Sequence, residues 1–232
     1  MSAQADWHIF QTRDELAQAF AATVAETLQQ AVARKGSGFV AVSGGTTPAN
    51  FFRVLSTKQI DWKNVVVTLI DERFVPETSE RSNAAFAHRT LLQNRAAETR
   101  FVPLYHPAAT IEEGAERASQ VLKDLPWPLD VAILGMGGDG HTASFFPDAT
   151  TLDTLLAPSE TGFVLPVHAT SAGEPRLTLP LARIEAAQRI AVHIEGTEKK
   201  TVLEAALEPT ANRPISAVFR QGRKPVEIFW AP

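Results

Sequence analysis

The chain has 232 residues, of which 44% are hydrophobic and 21% charged, and its formal net charge is −4. A chain of this length buries a sizeable core, and this composition is typical of ordinary globular proteins. It contains no cysteine, which excludes disulfides, thiolate catalysis and cysteine-ligated metal centres. The weak negative charge gives no reason to expect nucleic acid or an anionic membrane as a partner.

The chain shows no targeting or membrane segment. No apolar run reaches the roughly 20 residues that cross a bilayer, and the first ten residues, MSAQADWHIF, lack the pattern of a signal peptide. We therefore expect a cytoplasmic protein with no membrane partner. No repeat, low-complexity segment or linker marks a boundary, so one domain over residues 1–232 is expected.

The first half of the chain alternates short apolar runs with helical patterns. The apolar runs predict strands at 7–10, 38–42, 64–70 and 101–105. Helices are expected over about 12–34, 49–58, 84–94 and 110–125. Thr12 with Glu15, and Thr110 with Glu113, have the capping-box spacing that begins a helix, and Ser82 or Asn83 is expected to cap the third.

The second half continues the alternation around a loop-rich stretch at 148–174. Strands are expected at 129–134, 162–167, 190–194, 215–219 and 226–230. The segment 176–181 is expected to be extended, with a short helix after it and a longer one over 201–207. Several strands are apolar on both faces, which predicts an α/β fold with a mostly parallel sheet and helices on both faces.

Four polar or glycine-rich segments directly follow predicted strands. They are SGGTTP at 43–48, DER at 71–73, GMGGDGH at 135–141 and GTEKK at 196–200. In parallel sheets, ligands bind beyond the carboxyl ends of the strands. The four turns are therefore expected to meet at one crevice.

The glycines at 135–140 also match the dinucleotide fingerprint G-x-G-x-x-G. Pro147 cuts short the helix that would receive a pyrophosphate, and no strand ending in an acidic residue follows about 20 residues on. A nicotinamide or flavin cofactor is therefore not expected. The chain contains neither a P-loop motif nor histidines and carboxylates at metal-ligand spacing, so we expect no cofactor and no metal.

His141 is the best catalytic candidate among the six histidines. It lies on a glycine-rich turn, two residues after the carboxylate of Asp139, where a substrate can approach closely. A histidine pKa of about 6.5 suits a general base that later acts as an acid. A loop histidine hydrogen-bonded to Asp139, with no catalytic role, is the alternative.

The other turns are candidates for phosphate binding. The segment Ser43, Gly44, Gly45 and Thr46 precedes a helix N-terminus, whose free N–H groups suit an anion, although glycines also serve ordinary tight turns. Arg73 can bind a phosphate because its planar guanidinium donates two parallel hydrogen bonds. The alternative is that Arg73 forms a salt bridge at the end of a strand. Lys199 or Lys200 is a candidate for a second phosphate-binding cation. The alternative is that the lysine is simply exposed to solvent.

Taken together and in order, these motifs resemble the 6-phosphogluconolactonase family. The resemblance is carried by SGGTTP, DERFVP, the SN before a helix, and GMGGDGHTASFFP, and it continues in GTEKKTVLEAAL and PISAVFRQGRKPVEIFW. It implies a fold shared with glucosamine-6-phosphate deaminase. It also implies hydrolysis of 6-phospho-D-glucono-1,5-lactone to 6-phospho-D-gluconate in the oxidative pentose phosphate pathway, without a metal or organic cofactor.

The resemblance also implies roles for single residues. His141 corresponds to the family's catalytic histidine and Asp139 to its neighbouring acid. The residues that correspond to the phosphate-binding positions are Gly44, Gly45, Thr46, Arg73 and, by its spacing from Gly196, Lys199. Arg176 fits the family pattern without an assigned role.

Two related functions are weighed against this one. The deaminase motif carries a glutamate five residues after the histidine, where this chain has Phe146. A sugar-phosphate-sensing regulator would carry a fused DNA-binding module of about 60 residues, for which the chain has no room. The lactonase is therefore the predicted function, and the sequence predicts no oligomeric state.

Overall fold

The computed structural model of the chain describes residues 5–221 and 224–232. Within these ranges the strands are β1 (Ala5–Ile9), β2 (Gly38–Val42), β3 (Val65–Leu69), β4 (Asp71–Arg73), β5 (Arg100–Val102), β6 (Val131–Leu134), β7 (Leu165–Val167), β8 (Arg176–Thr178), β9 (Arg189–Glu195) and β10 (Val226–Ala231). The α-helices are α1 (Arg13–Lys35), α2 (Ala49–Ser56), α3 (Asn83–Thr90), α4 (Ile111–Leu122), α5 (Leu152–Leu156), α6 (Leu181–Glu185), α7 (Thr197–Leu207) and α8 (Pro214–Gln221).

A seven-stranded sheet with the order β1-β10-β9-β6-β2-β3-β5 forms the centre of the fold. Every neighbouring pair in it is parallel. All residues of β2, β3 and β6 are buried, because helices cover both faces of these apolar strands. The predicted α/β fold with a mostly parallel sheet is confirmed.

A second, three-stranded antiparallel sheet has the order β4-β8-β7. The prediction that Asp71–Arg73 is a turn beyond a strand is wrong, since these residues form β4. They pair with β8, where Arg73 lies opposite Arg176. A strand of three charged residues has no alternation of apolar and polar positions, so only its pairing with β8 identifies it as a strand.

The prediction of a strand at 215–219 is also wrong, because Pro214–Gln221 forms α8. Its buried residues Ile215, Val218 and Phe219 recur at helical spacing, but so short an apolar run does not distinguish strand from helix. Pro214 occupies the first helical position, where no N–H is needed. Smaller differences are that α7 begins at Thr197, α4 ends at Leu122, and α5 lies in the stretch expected to be loop.

The predicted helix starts are confirmed by their hydrogen bonds. Thr12 Oγ1 accepts from the N–H of Glu15 at 3.1 Å, and Thr110 Oγ1 accepts from that of Glu113 at 3.2 Å. Ser82 caps α3 in the same way. Such caps each stabilise a helix by about 1 kcal/mol. None of the helices in the described ranges is long and apolar enough to span a membrane.

Candidate active site

The four segments singled out in the sequence meet at one cleft of about 370 Å³. The cleft lies beyond the carboxyl ends of β2, β6 and β9 and beside β4, as expected for a parallel sheet. Its volume falls in the range of small-molecule sites. Of the predicted site residues, those that line the cleft are Ser43, Gly44, Gly45, Thr46, Arg73, His141 and Lys199. Asp139 does not line it but contacts His141.

The imidazole of His141 is bonded to the carboxylate of Asp139. Asp139 Oδ1 lies 2.6 Å from His141 Nδ1 and accepts from the backbone N–H of His141 at 3.1 Å. Because an ionised carboxylate only accepts, Nδ1 carries the proton in this hydrogen bond, and a neutral imidazole then has its lone pair on Nε2. Partial burial acts to raise the pKa of Asp139, but the hydrogen bonds and charge of His141 outweigh it and lower the pKa.

The turn that carries this pair needs glycine at position 137. A Cβ there would lie 2.3 Å from both Cε1 and Nδ1 of His141, so only glycine lets the imidazole pack against the backbone. The N–H of Gly137 donates to the carbonyl oxygen of His141 at 2.9 Å. The middle glycine of the spacing that resembles a dinucleotide fingerprint is therefore explained by the packing of His141.

The SGGTTP segment also lines the cleft. Gly45 and Thr46 are exposed. Gly44 packs against Asn83, whose Oδ1 would lie 1.9 Å from an added Cβ. The Ser43 hydroxyl is already engaged, since it donates to the carbonyl oxygen of Ile133 at 2.9 Å and accepts from Gly135 N–H at 3.2 Å. Ser43 thus ties this segment to the end of β6.

Two helix N-termini flank the same end of the cleft. Neither α2, which follows the SGGTTP segment, nor α7, which carries Lys199 in its first turn, has a side-chain cap. Lys199 Nζ lies 3.5 Å from Thr47 Oγ1, so the two helix starts are adjacent. Their free N–H groups and partial positive charge suit an anion. Lys200 instead lies over the ring of Trp230, 4.4 Å from its centroid.

Arg176, which the sequence left without a role, lies beside Arg73 in the cleft. Arg176 Nη2 donates to the carbonyl oxygen of Ala172 at 2.9 Å, and Arg73 Nη1 donates to that of Arg81. Both Nε–H groups are buried and have no partner among the described residues. Burial lowers the pKa of Arg176. Because an unpaired buried donor costs about 1–3 kcal/mol, this pair is suited to an anionic ligand.

Sequence reasoning missed Arg176 because its position depends on the pairing of β4 with β8. It also missed two polar residues that shape the cleft. Asp71 accepts a hydrogen bond from the Ser144 hydroxyl at 2.7 Å, and Asn83 Nδ2 donates to the carbonyl oxygen of Asp71 at 2.8 Å. In the described part of the chain, no group of three or more histidines and carboxylates is placed to hold a metal ion.

Comparisons with known proteins agree with the motif order. The family model for glucosamine-6-phosphate isomerases/6-phosphogluconolactonase matches residues 11–230. A 6-phosphogluconolactonase from Mesorhizobium japonicum is 55% identical over 98% of this chain and 95% of its own length. Another, from Rhizobium meliloti, is 47% identical over 98% of this chain and 99% of its own. These matches confirm the predicted enzyme family, a family of lactone hydrolases.

Solved structures show the same relationship. The crystal structure of a 6-phosphogluconolactonase from Shewanella baltica has a TM-score of 0.95 at 38% identity and covers 100% of both chains. A monomeric glucosamine-6-phosphate deaminase, at 19% identity, has a TM-score of 0.79 over 97% of each chain, which confirms the shared fold. The chain therefore belongs to the glucosamine-6-phosphate isomerase/6-phosphogluconolactonase family.

Proposed function

We propose that the chain hydrolyses 6-phospho-D-glucono-1,5-lactone to 6-phospho-D-gluconate. The observation that carries the proposal is a cleft with an imidazole–carboxylate pair on one wall and two adjacent arginines with unpaired Nε–H groups on another. This arrangement suits a substrate with an electrophilic carbonyl at one end and a phosphate at the other. The names of the full-length relatives support the same substrate.

His141 is the general base of the proposed mechanism. Its Nε2 takes a proton from water, whose oxygen forms a bond to the lactone carbonyl carbon. The bond from that carbon to the ring oxygen then breaks, and the imidazolium gives its proton to the departing oxygen. Asp139 holds the ring in the correct tautomer and stabilises the imidazolium. Such acid–base catalysis is typically worth about 10²–10⁴-fold.

Backbone N–H groups of the 135–138 turn are suited to stabilise the developing oxyanion. Those of Gly135 and Gly137 already donate within the protein. Met136 lines the cleft, and its N–H is our proposed oxyanion donor. A donor fixed in this way needs no rearrangement as charge develops on the carbonyl oxygen.

The phosphate is bound at the other end by Arg73, Arg176 and Lys199. Gly44, Gly45 and Thr46 add backbone and hydroxyl donors, and Ser43 holds their segment in place. Binding energy from this remote group positions the reacting carbon beside His141. The reaction belongs, in this proposal, to the oxidative pentose phosphate pathway of the cytoplasm, with no cofactor.

Deamination of glucosamine 6-phosphate is the second candidate, because the fold is shared. Phe146 argues against it, since it places a buried phenyl ring in the cleft where the deaminase motif carries a carboxylate. Lactone hydrolysis needs only one base at the carbonyl carbon, which His141 supplies.

The direct assay follows lactone hydrolysis by NMR, because the lactone also hydrolyses spontaneously. We expect pure protein to accelerate loss of the phosphorylated lactone far above background and to release no ammonia from glucosamine 6-phosphate. Absence of acceleration contradicts the proposal, and ammonia release supports the deaminase instead.

A further inference from the structure

The ring of Phe146 lies close to groups from both functional parts of the cleft. Its centroid is 4.5 Å from that of the His141 imidazole, at an interplanar angle of 34°. The Cζ atom of Arg176 lies 5.6 Å from the same Phe146 centroid. Phe146 is 4% exposed and lines the cleft. One buried phenyl ring is therefore a neighbour of both the imidazole and a guanidinium.

The other contacts of His141 leave its ring plane incompletely fixed. Asp139 holds Nδ1, and the backbone of Gly137 packs against the Nδ1–Cε1 edge. One hydrogen bond at one nitrogen still permits the ring to tilt, because terminal ring torsions are broad. The contact with the Phe146 ring limits that tilt.

Charged side chains surround this arrangement. Asp139 faces the imidazole from its own turn, and Arg176 on β8 lies over the same Phe146 ring. The side chain of Arg213, next to α8, packs against Gly140 on the turn of His141. An apolar ring beside the imidazole restricts its plane without competing for the lone pair of Nε2 or for the carboxylate of Asp139.

We propose that Phe146 is a positioning residue for the lactone hydrolysis proposed above: its ring holds the imidazole of His141 with Nε2 towards the substrate. The proposal rests on the proposed function for its kinetic consequence, but its structural consequence is independent of activity. Phe146 acts through His141 and takes no proton itself.

The test compares Phe146→Leu with Phe145→Leu. Leucine at 146 keeps an apolar side chain but removes the flat face, so kcat should fall at least about ten-fold while KM changes less than about two-fold. Phe145 precedes it in the chain, is fully buried, and serves as the matched control. Phe145→Leu should lower the melting temperature at least as much, yet leave kcat of the folded protein unchanged.

¹⁵N NMR of His141 measures the tautomer of its imidazole, which a loss of stability alone does not change. The wild-type imidazole should be protonated at Nδ1 in a single tautomer, and Phe146→Leu should show a mixture of tautomers. Wild-type kcat and a single tautomer in Phe146→Leu would overturn the proposal, as would an equal loss of kcat in Phe145→Leu. If the wild-type protein does not hydrolyse the lactone, the proposed function fails, and the tautomer comparison still decides the role of Phe146.

Discussion

At the residue scale, the proposed base His141 must be unprotonated at Nε2, whereas the proposed phosphate ligand Lys199 must be protonated. His141 needs a free lone pair at Nε2, which Asp139 provides by accepting from Nδ1. Lys199 needs its proton to bind a phosphate. Burial lowers the pKa of Lys199 below its ordinary value of 10.5, while the charges of Glu195 and Glu198 act to raise it. The lysine therefore loses its charge earlier on the alkaline side than an exposed lysine does.

Replacement of Lys199 should weaken substrate binding selectively. We expect Lys199→Met to raise KM about ten-fold with little change in kcat, since one charge-assisted hydrogen bond to the phosphate is lost. In the wild type, kcat/KM should already fall below pH 10.5, because the Lys199 ammonium loses its proton there. Lys199→Met should lack this decline. Steady-state kinetics across alkaline pH measure both effects.

Lys200 provides the matched control for this variant. It is adjacent in α7 but lies over the rings of Trp7 and Trp230, away from the cleft lining. Lys200→Met should leave KM near its wild-type value. If both variants raise KM equally, Lys199 has no special contact with the phosphate.

At the scale of elements, the buried carboxylate of Glu72 joins β4 to the start of α3. It is fully buried and accepts from the backbone N–H groups of Arg73, Asn83 and Ala84 and from the Ser82 hydroxyl. Burial raises the pKa of Glu72 above its ordinary value of 4.5, and these hydrogen bonds oppose the rise. Two cleft residues, Arg73 and Asn83, are thereby held by one side chain.

Glu72→Ala should lower the free energy of unfolding by about 2 kcal/mol, because the backbone N–H groups of Arg73, Asn83 and Ala84 lose their acceptor. The same change should raise KM as Arg73 shifts. Thr12→Ala, which removes a cap far from the cleft, should cost about 1 kcal/mol and leave KM unchanged. Urea denaturation and kinetics measure these quantities, and an unaltered KM in Glu72→Ala would contradict a contribution of Glu72 to the position of Arg73.

The sign of the pH dependence follows from the raised pKa of Glu72. Its folded state holds the proton more tightly than the unfolded state, so its contribution to stability is greatest below pH 4.5 and is lost as pH rises through the folded pKa. The difference in unfolding free energy between wild type and Glu72→Ala should therefore be larger at pH 4.5 than at pH 7.

At the scale of the whole molecule, the parallel sheet was predictable because its strands are apolar on both faces. β2, β3 and β6 read as continuous apolar runs between helical patterns, and parallel topology then places their following turns at one edge. The same topology predicts that Arg73, His141 and Lys199 lie around one cleft.

The second sheet was not predictable by the same reasoning. β4 and β8 have three residues each, and their pairing is set by tertiary contact across roughly a hundred residues of chain. The position of Arg176 in the cleft follows from that pairing, so the sequence alone assigns Arg176 no role. The run at 215–219 reads as a strand although it is part of helix α8. Its helical form depends on packing against the rest of the molecule, where Ser216 donates to the carbonyl oxygen of Ala206.

The central claim is that His141 activates water for attack on a phosphorylated lactone. The chain offers a matched control in His168, whose Nε2 lies 2.8 Å from the carboxylate of Glu112 outside the cleft. His141→Asn should reduce the enzymatic rate of lactone hydrolysis by at least about 10²-fold with little change in melting temperature, and His168→Asn should retain the wild-type rate. A His141→Asn protein that folds normally and hydrolyses the lactone at the wild-type rate would contradict the account.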